Sequence, residues 1–348
     1  MKSVGVEMGQ KCDFPCRVGD PILPLVESLR GQVDVLIQFY SKPDYFPPDL
    51  YLVDIPKVWM LYDLHVHAEE LSRSCALFDL IIVPDGRSRE RLLALGVDHV
   101  EVVPFAVDEK VFYRAQKQHK RFYDVGFSGS VSHHPLLRKR AEWLKNVGER
   151  FSLRIENRSL TGAQVADFYQ DCRVVINHAV HEDVNMRIME ALMSGRPLVT
   201  PWVPSIEDII QDGVHAKLYH NDQECFEHIA YLLSHPQEAE NMALRGQAHA
   251  LEHFCYEKTS RHLLDILSQY LQVWEQEGPR RKNIGPLKSA QFMYHWFRFP
   301  GDALQWLLVH THGHGFADHC VRGSLKVCLS ILRGAEWFRK VRYFQRNE

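Results

Sequence analysis

Two doubly wound α/β units, each built on a parallel sheet, are what this sequence predicts. Three observations point there. Short apolar, β-branched runs alternate with stretches of helical periodicity. The alternation restarts after Val107. At roughly 150 residues per domain, 348 residues hold about two such units. Strands bounded by turns and separated by helices belong to parallel sheets covered on both faces.

In the first unit, residues 33–39, 58–61, 80–83 and 100–103 read as buried strands. Residues 21–29 and 87–95 read as helices between them, and residues 4–8 make a poor opening strand. In the second unit, residues 123–127, 152–155, 174–177, 197–200 and 216–219 read as strands. Residues 136–145, 162–171 and 186–194 read as the helices that connect them, and 223–234, 236–253 and 258–274 as three more. Asn221 or Asp222 suits the N-cap of the first of these three, because a short polar side chain can accept from the free N–H groups of the first turn. A polar break at 275–286 leads into an aromatic, basic tail with amphipathic helices over 304–309 and 325–341. The expected organisation is thus an N-terminal unit over 1–107, a C-terminal unit over 108–274 and a helical basic extension over 275–348.

Composition narrows the classes. Hydrophobic residues at 45% and charged residues at 24% belong to a folded globular protein, not a disordered one. No apolar run approaches the ~20 residues that span a bilayer. The first nine residues lack an apolar core segment, so a cytoplasmic location is expected. Of eight cysteines only Cys12 and Cys16 are close in sequence, and no second pair follows to complete a zinc site, which leaves reduced thiols as the reading. The net charge of −3 conceals an asymmetry: residues 279–348 carry 12 Lys+Arg against 4 Asp+Glu, and the remainder 29 against 40. An acidic body without a base-reading motif argues against nucleic acid.

Two segments carry candidate chemistry. DVGFSGS (124–130) runs from a strand into Ser128, Gly129 and Ser130, with a helix beginning near Pro135. Small residues let backbone N–H groups approach phosphate oxygens, and a helix N-terminus adds partial positive charge. Arg138, Lys139 and Arg140 in that helix can add full charges toward a diphosphate. In EDVNMRIMEALMSGRPLVT (182–200), Glu182 and Glu190 stand eight apart, with Glu190 in the first turns of a helix. A carboxylate placed there can accept both hydroxyls of a nucleotide ribose; the alternative is a solvated or capping glutamate.

RIMEALMSGRPLVT (187–200) resembles the E-A-x-x-x-G-x-P segment of family-4-type retaining glycosyltransferases of the GT-B fold. VEVVPFAVDEKVF (100–112) is similar to their interdomain connection, and FDLIIVPDGRSRERLLALGV (78–97) to the strand and helix before it. YDLHVH (62–67), YDVGFSGS (123–130) and VNMRIMEAL (184–192) look closest to the CgeB-like, spore-maturation branch. The resemblance spans about residues 58–267. It implies two facing Rossmann-like domains and a nucleotide-sugar donor held by the second. Glu190 would grip the donor ribose and Glu182 would face the donor sugar. Asn185 and Arg187 would contact the diphosphate or sugar, Ser128, Gly129 and Ser130 would lie beside the phosphates, and Asn157 near the base. His65 or Asp63 would point toward the acceptor, which the resemblance leaves open among glycan, lipid and protein. No metal or cofactor is implied, the nucleotide-sugar being a substrate. Two departures stand out: Asp183, Val184 and Asn185 replace the glycines usual after the first glutamate, and the N-terminal unit is short for the fold.

Two segments keep rival readings. Asp63, His65 and His67 would share one face of an extended chain, as cleft residues or as metal ligands. In the tail, His310, His312, His314, His319 and Cys320 form either a metal site or a polar loop. The aromatic and basic residues around Trp306, Trp337 and Arg339 either meet an anionic membrane peripherally or pack back on the N-terminal unit.

Overall fold

The computed structural model describes residues 4–5, 13–15, 20–39, 46–62, 64–112, 121–131, 135–157, 160–180 and 183–278. Cys12, Cys16, Asp63, Glu182 and the whole tail with its two expected helices lie outside the described residues.

The chain divides into two compact units. The smaller comprises Met1–Ile22, Asp44–Tyr51 and Gly285–Glu348. In its described part, β1 (Val4–Gly5) pairs in parallel with β2 (Phe14–Pro15), and the Ile22 N–H donates to Asp49 Oδ1 at 2.8 Å.

The larger unit, Leu23–Pro43 and Leu52–Ile284, holds two parallel sheets. Its first half runs α1 (Leu23–Ser28), β3 (Leu36–Gln38), β4 (Lys57–Met60), α2 (Leu64–Ser74), β5 (Leu80–Val83), α3 (Gly86–Ala94) and β6 (Val100–Val102). The strands lie in the order β3-β4-β5-β6, with Val58 opposite Ile37 and Leu80. Every residue of β4 and β5 is buried. A sheet covered on both faces needs nearly continuous apolar runs, here Val58–Met60 and Leu80–Val83, which is why these strands were legible. Asp85 caps α3, its carboxylate accepting from the Ser88 N–H at 2.8 Å.

One expectation fails here. The segment of His65 and His67 is not extended; it forms α2. In a helix the side-chain period is 3.6 rather than 2, so positions two apart do not share a face. The premise of an extended chain through His65 and His67 is therefore lost.

The second half runs β7 (Tyr123–Ser128), α4 (Pro135–Gly148), β8 (Leu153–Glu156), α5 (Gly162–Gln170), β9 (Cys172–Ile176), α6 (Met186–Met193), β10 (Leu198–Pro201), β11 (Lys217–Tyr219), α7 (Asp222–Ser234), α8 (Pro236–His253) and α9 (Tyr256–Glu277). Thr161 opens α5 with a capping box to Gln164, and Asn221 caps α7 by accepting from the Glu224 N–H at 3.0 Å. The strand order is β11-β10-β9-β7-β8, all parallel. From β7 the chain builds one way to β8 and then returns to place β9 on the other side. The gap between β7 and β9 is thus a topological switch point, where doubly wound sheets open a crevice at the carboxyl ends of their strands.

The two halves are tied together twice. The connection lays Val107 against Cys255, with the Val107 N–H donating to Phe254 O at 2.9 Å. Helix α9 then returns to the first sheet, where Leu267 joins the buried core of Val58, Met60, Leu80, Ile82 and Val103.

Candidate functional site

At the switch point β7 and β9 end side by side. Beyond β7 come Gly129 and Ser130; beyond β9 come fully buried Asn177 and then His178. Arg187, second residue of α6, reaches back across both ends. Its Nε donates to Ser128 O and its Nη1 to Asn177 Oδ1, and its guanidinium lies over the Phe127 ring at 4.6 Å. Gly129 makes this approach feasible. Its φ is +150°, and a Cβ there would overlap Arg187 Nη2 and stand 3.2 Å from Cζ. A residue with a side chain would meet both a strained backbone and a collision.

A second arginine converges from α4. Arg140 is buried and donates through Nη1 to Ser130 O at 3.0 Å and through Nη2 to His178 O at 2.9 Å. Among the described residues its Nε has no hydrogen-bond partner, nor do the buried His178 Nδ1 and Asn185 Oδ1. Asn177 is held from both sides: Nδ2 donates to Thr200 Oγ1 at 3.0 Å, and its carbonyl accepts from Tyr219 OH at 2.9 Å.

Electrostatics follow from this packing. Burial, and then the neighbouring Arg187, pull the Arg140 pKa down to about 10. Arg187 is also lowered, chiefly by burial, against the pull of Tyr169, Glu190 and Asp183. Burial and Arg140 hold His178 near pKa 4, so its imidazole is neutral at pH 7. Two buried guanidiniums, one lowered by the other, with an Arg140 Nε–H that has no partner among the described residues, are chemically suited to an anion.

Glu190 sits on α6 facing α5, where Tyr169 OH donates to its Oε2 at 3.3 Å. Burial raises its pKa, while Arg187 and the Tyr169 hydroxyl oppose the rise. Asn185 precedes α6 and donates to Asn177 Oδ1 at 3.4 Å rather than capping the helix. The structure therefore brings Ser128, Gly129, Ser130, Asn185 and Arg187 together at the ends of β7 and β9, with Glu190 close to Arg187 on α6.

Other expected residues stand elsewhere. Arg138 is exposed and pairs with Glu142 at 3.5 Å; Arg140, two positions on, is the member of that basic run that turns inward. Asn157 clasps Val131, accepting from its N–H at 2.6 Å and donating to its carbonyl at 2.8 Å, so it fixes the loop after Ser130. Asn177, His178 and Tyr169 were not singled out from sequence. The first two could have been found, because they follow a predicted strand where such sheets bind ligands. Tyr169 carries no local signal.

Among known proteins, residues 112–265 match the family described as glycosyl transferase-like. Trehalose synthase of Pyrococcus horikoshii is 26% identical over 128 residues, 36% of this chain and 31% of that protein. Trehalose synthase of Thermococcus litoralis is 25% identical over 130 residues, with the same coverage. The chain thus spans 31% of the length of these curated relatives. Among solved structures, sucrose-phosphate synthase from Thermosynechococcus elongatus superposes with a TM-score of 0.56 at 11% identity, over 72% of this chain and 76% of that one. Anabaena HepE in complex with UDP and glucose gives 0.55 at 14% identity, over 71% and 80%. At such identities the likeness is one of fold: an α/β fold with parallel sheets that matches GT-B glycosyltransferase structures.

Proposed function

We propose that this chain is a metal-independent glycosyltransferase that moves a sugar from a nucleotide-sugar donor to a glycan, lipid or protein acceptor, with retention of anomeric configuration. One observation carries the reading: Arg187 bridges the ends of β7 and β9 at the switch point, with Arg140 beside it, inside the segment matched to glycosyl transferase-like proteins. The family-4-type, CgeB-like resemblance of residues 184–200 supports the finer assignment.

Glycosyl transfer proceeds through an oxocarbenium-like state, and negative charge grows on the departing diphosphate. Arg140 and Arg187, preorganised by backbone carbonyls, stabilise that charge without rearrangement. Glu190 accepts the ribose hydroxyls and Asn157 lies toward the base, while Ser128, Gly129 and Ser130 flank the phosphates. Glu182 faces the transferred sugar, and His65 or Asp63 serves the acceptor side; these roles rest on the resemblance. Arg138, expected to add charge to the diphosphate, is exposed and paired with Glu142, and Arg140 takes that part. The site acts in the cytoplasm, with the basic tail giving peripheral contact to anionic membrane.

Calorimetry with UDP, GDP, ADP, CMP and dTDP and their sugar conjugates tests this. Uridine nucleotides come first in the panel, because the Anabaena protein was solved with UDP and with UDP-glucose. One preferred nucleotide is expected, and Glu190→Ala should weaken it about tenfold or more, the loss of a charged hydrogen-bond acceptor. Absence of binding by every nucleotide rejects the reading. Binding without hydrolysis or transfer across an acceptor panel converts it to a non-catalytic nucleotide-sugar binder.

A further inference from the structure

Trp202 follows β10 directly, at the same carboxyl edge as Asn177 and the loop of Ser128 to Ser130. Its backbone N–H donates to Tyr219 O at 2.8 Å, and the residue is 39% exposed. Its ring stacks on His220, the residue after β11, with centroids 5.6 Å apart and planes at 29°. Buried Val203 and Ile206 anchor the loop behind it. Exposure alone means little, since single apolar side chains are common on surfaces. Position means more.

The same loop reaches the first half of the protein. Ser205, at φ +66°, accepts from the Arg87 N–H at 2.9 Å. Gly86 lies so close that a Cβ there would stand 3.5 Å from Asp208 Oδ2. Arg87 and Gly86 open α3, immediately after the carboxyl end of β5. The carboxyl edges of the two sheets therefore meet at this loop, and Trp202 sits three residues from the junction.

Strands lie about 4.8 Å apart. In the order β10-β9-β7-β8, Trp202 is one strand from the Asn177 end, two from the phosphate loop and three from Asn157. A nucleotide with its base toward β8 and its diphosphate at β7 and β9 leaves the Trp202 position to what lies beyond the phosphates. An indole face matches the C–H face of a pyranose, and the His220 imidazole beside it can meet the ring hydroxyls.

We propose that Trp202, backed by His220, is the stacking platform for a pyranose ring of the acceptor, placed where the two halves meet. This rests on the glycosyltransferase reading given above. An acceptor is favoured over the transferred sugar because the loop contacts the first half of the protein.

The test uses the full chain saturated with whichever nucleoside diphosphate the panel selects. Methyl α- and β-glucopyranoside, maltose, cellobiose and N-acetylglucosamine are titrated by saturation-transfer NMR. At least one glycoside should bind; Trp202→Ala should raise its Kd about fivefold or more, Trp202→Phe should recover much of the loss, and nucleotide affinity should stay within about twofold. Because Trp202 is partly exposed, an unchanged melting temperature is expected for both variants. No glycoside signal in the parent chain, or one indifferent to Trp202→Ala, overturns the platform while nucleotide binding stands. If Trp202→Ala instead weakens the nucleotide-sugar relative to the bare nucleotide and spares the glycosides, the acceptor assignment is wrong. Failure of every nucleotide to bind sinks the glycosyltransferase reading itself.

Discussion

Replacing Gly129 with alanine is the sharpest probe of the crevice. The new methyl would overlap Arg187 Nη2 and stand 3.2 Å from Arg187 Cζ and 3.3 Å from Phe127 Cζ, on a backbone at φ +150°. Phe127 is fully buried, so the arginine must yield. Swinging the guanidinium away breaks its bonds to Ser128 O and Asn177 Oδ1 and removes it from the Phe127 face. A hydrogen bond to a charged group contributes about 1.5–3 kcal/mol, and water recovers part of that once the guanidinium is exposed. The stability cost is then about 1–2 kcal/mol, a few degrees in melting temperature for a unit of this size. Loss of one diphosphate contact of similar strength predicts a Kd increase of about 10- to 100-fold. Calorimetry with the selected nucleotide measures it. Gly96→Ala is the control: φ is +81° with nothing within 4 Å of the new methyl, so it carries backbone strain without touching the crevice. If Gly129→Ala binds nucleotide within about threefold of the parent, Arg187 does not hold the diphosphate.

Two further outcomes follow from the same geometry. His178 titrates near 4 in the folded chain against about 6.5 when unfolded. The unfolded chain therefore takes the proton first, so stability is full above pH 6.5 and declines as pH falls toward 4, by at most about 3 kcal/mol. His215, lowered by burial and then by His249, adds in the same direction. His178→Gln should flatten this slope in urea titrations run from pH 7 to 4; an unchanged slope removes His178 as its source. Gly126→Ala tests packing rather than chemistry. Its methyl would overlap Cys172 Sγ and stand 3.0 Å from Phe168 Cζ, both buried, for a loss of about 1–3 kcal/mol. A melting temperature equal to that of the parent would show that β7 and α5 can separate freely.

Most of the architecture was readable because it depends on local patterns. Leu80–Val83 and Pro236–His253 have the bounds their apolar periodicity and proline foretold, and Asn221 caps α7 as its position suggested. Alternating strand and helix signals imply parallel sheets wherever they occur. The helix that carries Glu190 and Arg187 was also legible, since the sequence marks both of its boundaries. What local pattern missed is instructive. The alternation of Asp63, His65 and His67 fits a strand equally well, yet His65 and His67 fall within helix α2, because short runs do not separate the two periods.

Three features belong to the tertiary structure alone. Strand order puts β9 beside β7, and only that neighbourhood lets Arg187 span Ser128 and Asn177, residues 59 and 10 positions away from it. The choice between Arg138 and Arg140 depends on which face of α4 meets the sheet; the two are two positions apart, so one must point out when the other points in. The partnership of Tyr169 with Glu190 joins two helices across the core. A sequence fixes which segments pair with water and which avoid it. Which ends come together, and hence where two charges share one crevice, is decided by the topology that buries those segments.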